Sequence, residues 1–169
     1  MVATAYNVLD TRIIFPPDLL TNRFDLLLTM PGDWKQLLQE EIKKRFGLVA
    51  RSENREVDVF RLRVNNQNPP NLKPHAGRNQ NSSSTGSQYT ATIQNQSLFG
   101  FLINIEYAMG QPVIDETGLR GRYDLQINWR PNPGESTQDA FRRALLQQLG
   151  LELVPDRATI EELVVEKEN

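Results

Sequence analysis

Over residues 122–129 apolar and polar side chains alternate one for one. Tyr123, Leu125, Ile127 and Trp129 fall on one face, and Arg122, Asp124, Gln126 and Asn128 on the other. A period of two belongs to a half-buried strand. Residues 23–30 carry a second such alternation, with Phe24, Leu26, Leu28 and Met30 on one face. Pro31-Gly32 and Asn132-Pro133-Gly134 break the two strands, and the period then becomes helical. Trp34, Leu37, Leu38, Ile42 and Phe46 form one apolar stripe, with Asp33 and Gln36 at capping-box positions. Phe141, Ala144, Leu145 and Leu149 form another, capped by Ser136 with Asp139. A glycine follows each stripe, Gly47 and Gly150, where a left-handed residue belongs. Residues 48–50 with 57–64, and 151–154 with 159–167, are expected to be hairpins. Their predicted turns lie at 52–55 and at Pro155-Asp156.

Residues 1–8 read as a short helix, and 12–15 as a β-leaning stretch stopped by Pro16-Pro17. A strand is predicted over 89–93 and a helix over 98–109, capped by Ser97 and closed by Gly110. That helix is apolar nearly all round, which predicts burial on more than one side. Pro112-Val113-Ile114 follows as a short strand, then a turn over 115–121. Laid side by side, Arg23-Phe24-Asp25-Leu26 falls on Arg122-Tyr123-Asp124-Leu125, and Phe46-Gly47-Leu48 on Leu149-Gly150-Leu151. The expected architecture is therefore α+β, two tandem β-α-β-β-α-β repeats sharing a core, the first without its opening strand. The expected boundaries are 1–64 and 89–169. Between them, 65–88 is Asn-, Gln-, Ser-, Pro- and Gly-rich and is predicted to be a mobile polar linker.

Composition narrows the chemistry. The 169 residues hold no cysteine and one histidine, and the net charge is −2. Disulfides, thiolate catalysis and cysteine zinc sites are excluded, and no basic field draws the chain to nucleic acid. No apolar run is long enough to span a membrane. The first residues lack a basic segment followed by an apolar one, so no signal peptide is expected, and Met1 to Tyr6 read like mid-helix, as in a piece of a longer protein. His75 falls in the polar linker and reads as a surface residue. Asp115, Glu116 and Asp124 are the carboxylates that a polymer hydrolase would use. The Gly118-Leu119-Arg120-Gly121 run is the loop by which a KH-like RNA binder, helped by Arg120 and Arg122, would grip a backbone. The plainer readings are a turn for that loop and a structural ion pair for Arg122 with Asp124, matched by Arg23 with Asp25. No catalytic residue, cofactor or metal is expected.

The run Gly110-Gln111-Pro112-Val113-Ile114-Asp115-Glu116-Thr117-Gly118-Leu119-Arg120-Gly121-Arg122-Tyr123-Asp124 resembles the hallmark of a family of soil-associated bacterial proteins of unknown function. Leu149-Gly150-Leu151-Glu152-Leu153 fits it, as do Arg23-Phe24-Asp25 and Arg45-Phe46-Gly47-Leu48. The resemblance implies an exported protein, since members of that family are typically exported, and some resemble C-terminal extensions of membrane metallopeptidase sensors. Each half is also similar, more loosely, to the short N-terminal domain of secretins and TonB-dependent transducers, which contacts partners. The expectation is a non-enzymatic, extracytoplasmic interaction or sensor module with a protein partner. Because the first repeat lacks its opening strand, the edge beside residues 12–15 is expected to be open either to an edge-to-edge homodimer or to linker residues folded into the vacant slot.

Overall fold

The computed structural model of the chain describes residues 1–17, 19, 34–65, 67, 69–77 and 82–168. In order, the elements are α1 (Val2–Tyr6), a 3-10 turn (Asp10–Arg12), β1 (Ile13–Ile14), α2 (Trp34–Phe46), β2 (Leu48–Val64), β3 (Leu72–Pro74) and β4 (Ser83–Ser87). There follow β5 (Thr90–Ser97), α3 (Leu98–Met109), β6 (Val113–Asp115), β7 (Arg122–Asn128), α4 (Thr137–Leu149) and β8 (Leu151–Lys167). The class is α+β, as the sequence predicts. The strand expected over 23–30, with Arg23, Asp25 and the cap Asp33, lies outside the described residues.

Contacts divide the chain into two compact units. One is Met1–Val57 with Ala158–Asn169, and the other is Asp58–Arg157. This division differs from the expected 1–64 and 89–169, because β2 and β8 each run from one unit into the other. Both are single strands of 17 residues where hairpins were predicted. The polar stretch 52–55 mimics a turn in composition but has no glycine to supply the positive φ that a tight hairpin needs. It stays extended because its polar groups are matched by β8: Ser52 bonds Glu161, Arg55 lies 3.7 Å from Glu162, and nearby Arg51 bonds Glu166. In β8 the exposed Asp156 accepts from Arg61, which straightens the other predicted turn.

In the first unit β1 pairs in parallel with β8, Ile13 opposite Leu163 and Ile14 opposite Val164. Val2, Ala5, Leu38, Ile42, Leu48, Leu163 and Val165 form its core, with Trp34 and Phe46 packed beside them. Leu37, counted in the predicted stripe, is instead 44% exposed.

In the second unit β2 pairs in parallel with β6, Phe60 opposite Val113. A further sheet has the order β3-β7-β5-β4 and is antiparallel throughout. Parts of the predicted linker thus enter a sheet: Leu72, the one large aliphatic residue there, is buried opposite Leu125, and 83–87 extend the other edge, with Ser87 and Thr90 hydroxyls 2.8 Å apart. Tyr123, Leu125 and Ile127 point into the core as predicted, among Ile93, Phe101, Ile105, Leu145, Leu149 and Leu151. Trp129 is half-buried, meeting Phe141 edge to face at 5.2 Å. Among the described residues, where one shared core was expected, the buried side chains form one cluster in each unit.

In the second half β5 pairs with β7 and β4, while β6 pairs with β2.

Candidate functional site

The most distinctive polar cluster grows from an irregularity in the β5–β7 ladder, where pairing slips between Ile93 and Gln96. Asn95 occupies the slip with φ 53 and is 3% exposed. Asparagine is among the few residues that tolerate this left-handed conformation. Its backbone N–H donates to Asp124 Oδ1 at 2.8 Å. Arg122 Nε donates to its carbonyl at 2.9 Å and to its Oδ1 at 2.6 Å. Arg122 and Asp124, neighbours on one face of β7, therefore meet through Asn95, where a direct ion pair was expected.

His75 joins the cluster from the other side. Its Nδ1 lies 2.8 and 3.0 Å from the Asp124 carboxylate oxygens, and its backbone N–H donates to the Arg122 carbonyl at 2.8 Å. The expected surface residue is thus largely buried, holding residues 72–77 along β7. The Asn95 N–H, and secondarily His75, hold the Asp124 carboxyl below its ordinary range. An Asp–His pair can orient an imidazole for proton transfer. Here, however, Nε2 is buried with no hydrogen-bond partner, against Gly77, where a Cβ would stand 2.6 Å away.

The loop between β6 and β7 is closed on itself. Asp115 Oδ1 accepts from the Thr117 N–H at 2.9 Å and from its hydroxyl at 2.7 Å, and Thr117 Oγ1 accepts from the Leu119 N–H at 3.1 Å. The Tyr123 hydroxyl donates to the Arg120 carbonyl at 3.0 Å. Gly118 and Gly121 have φ of 65 and 98, and added Cβ atoms would meet nothing within 4 Å. Glycine is needed there for backbone conformation rather than for close approach to a ligand. The loop joins two strands, whereas the KH loop joins two helices.

The three candidate hydrolytic carboxylates go to three separate tasks. Asp115 caps the turn, Asp124 holds Asn95 and His75, and Glu116 accepts from Arg63 at 2.8 Å and from Arg61. Arg63 and Arg61 hold Glu116 below its ordinary range. With Asp124 also lowered, neither is the raised, protonated acid that glycosidic cleavage requires. Beneath the loop lies an apolar recess of about 360 Å³, floored by Leu72, Tyr123, Leu149 and Leu151, with no charged side chain in its lining. Among the described residues no group of three His, Asp or Glu is placed to hold a metal ion. No described helix is long and apolar enough to cross a membrane.

A protein-family model matches residues 1–167. The chain belongs to the DUF3738 family, proteins of unknown function. No curated protein and no solved structure matches it. The DUF3738 match takes in both halves and agrees with the expected family of unknown function at that level; it assigns no activity and no residue role. Asn95 is the residue of the cluster that sequence reasoning missed as a partner. Its signal was an asparagine placed where the alternation of 89–93 stops, a position suited to a left-handed residue.

Proposed function

We propose that this DUF3738 chain is a non-enzymatic, extracytoplasmic interaction or sensor module built from two related halves, in which Gly118, Gly121, Arg122, Tyr123 and Asp124 are a structural signature. Arg23 and Asp25 are their counterparts in the first half. The observation that carries the interaction reading is on α3. Phe99 is 71% exposed and Tyr107 53% exposed, with Ile103 half-buried between them. Residues spaced four apart share one helix face, so these three make an apolar stripe. Exposed aromatic residues grouped on one face are typical of protein interfaces. The side chains of Arg122, Tyr123 and Asp124, by contrast, are hydrogen-bonded within the fold. The extracytoplasmic part is supported by the resemblance to exported proteins.

Photo-crosslinking in the source organism tests this reading. A photoreactive residue replacing Phe99 should give discrete protein adducts in the extracytoplasmic fraction, while one replacing the exposed Gln147 of α4 should not. Absence of adducts at position 99, or adducts with cytoplasmic proteins alone, would overturn it.

A further inference from the structure

The pairing of the long strands follows one rule twice. α2 and α4 are each 13 residues long and end at Gly47 and Gly150, with φ of 61 and 63. Leu38 and Ile42 stand as far ahead of Gly47 as Phe141 and Leu145 stand ahead of Gly150, and all four are buried. Phe60 and Leu163 lie equally far beyond those glycines. Phe60 pairs with Val113 of β6, and Leu163 pairs with Ile13 of β1. The next residues, Arg61 and Val164, pair with Ile114 and Ile14, so both parallel registers coincide. The strand ends match as well: Asn65 N–H donates to the Gly150 carbonyl at 2.8 Å, and Glu168 N–H to the Gly47 carbonyl at 2.6 Å. Asn65 and Glu168 again occupy equivalent places.

In every one of these pairs the partners come from opposite halves of the sequence. β1 belongs to the first half and is completed by β8 of the second, while β6 belongs to the second and is completed by β2 of the first. We infer that the chain is a fused, strand-exchanged pair: each half completes its sheet with the long strand of the other, and the partner each half is built to accept is the long strand of a second copy of the same unit. This inference rests on reading the halves as copies, and is independent of where the protein works. Exchange of an identical element is a low-cost route to association because the same contacts form whichever copy supplies it. Tethering in one chain makes the internal exchange the favoured one at ordinary concentration.

The absence of cysteine makes the test clean. Full-length chains carrying I13C/L163C or R61C/I114C are folded, oxidised and then cut at a protease site placed within residues 78–81. Both pairs are Cα partners across a ladder, within reach of a disulfide. R61C/I114C leaves the buried core intact, which guards against a variant that fails to fold. Each should keep the two fragments joined on a non-reducing denaturing gel. The alternative pairs I13C/F60C and I114C/V164C, which would meet if each half closed on its own strand, should stay reduced. Oxidation of these alternative pairs in place of the exchanged ones would overturn the exchange. For the second-copy partner, chains bearing I13C alone and L163C alone are unfolded together and refolded. A disulfide-linked heterodimer that rises with protein concentration supports the inference, and its absence at every concentration overturns it.

Discussion

Asn95 shows how one residue can carry a conformation that most side chains resist. Its left-handed backbone is offset by the N–H bond to Asp124 and by the acceptors it offers to Arg122. Asn95→Ala keeps the unfavourable φ and deletes the side-chain acceptor, at an expected cost of about 1–3 kcal/mol. Asn95→Gly relieves the backbone and should fall between that variant and the parent in urea midpoint. Three equal midpoints would contradict this. Glu135 gives a pH signature at the same scale. Arg143, and then the Asn132 N–H, lower its carboxyl to about 2 from the ordinary value of 4.5. A folded value below the unfolded one stabilises the protein fully above the unfolded value and is lost as pH falls toward 2. The gap in melting temperature between parent and Glu135→Gln should therefore be present at pH 7 and vanish near pH 2; a constant gap would rule the coupling out. Residue roles set by alternation were legible in the sequence, as with Tyr123, Leu125 and Ile127. Those of Asn95 and His75 were not, because their partners lie 29 and 49 residues away in the chain.

At the scale of elements, helical period located α2 and α4 and their glycine stops, but not which edge of the stripe faces the core. Leu38 and Ile42 are buried while Leu37 is exposed. Ile42→Ala should cost about 2–5 kcal/mol, and Leu37→Ala should stay within about 0.5 kcal/mol, both read by urea unfolding. Comparable losses at both positions would mean that α2 is rotated from the orientation described. Trp129 and Phe141 report on α4 against β7 through their edge-to-face contact, with rings 83° apart. Phe141→Ala, made in a Trp34→Phe background, should move the Trp129 emission to longer wavelength and cost about 3–5 kcal/mol. An unmoved emission maximum would show that the contact does not shield the indole. The long strands were the element misread. A polar run looks like a turn to any local reading, whereas 52–55 and Pro155-Asp156 lie in strands that neighbour each other in one sheet and exchange polar contacts across a long stretch of sequence.

At the scale of the molecule, the sequence disclosed the α+β class, yet not the two units. Strand partners separated by about a hundred residues leave no local trace, so sequential hairpins were the natural expectation for 48–64 and 151–167. The division into Met1–Val57 with Ala158–Asn169, and Asp58–Arg157, follows from those distant pairings. The hydrogen bonds of the glycine loop join Asp115, Thr117 and Leu119 to one another and Tyr123 to Arg120. On the proposed function, the signature serves the fold and recognition falls to the surface. Residues held for chemistry commonly carry a stability cost, so replacing them leaves stability unchanged or raised. Residues held for structure behave oppositely. The most direct measurement is the unfolding free energy of Arg122→Gln and Asp124→Asn in urea at pH 7. A loss of about 1–3 kcal/mol in each, from broken charged hydrogen bonds, is the predicted result; unchanged or increased stability in both would contradict the account.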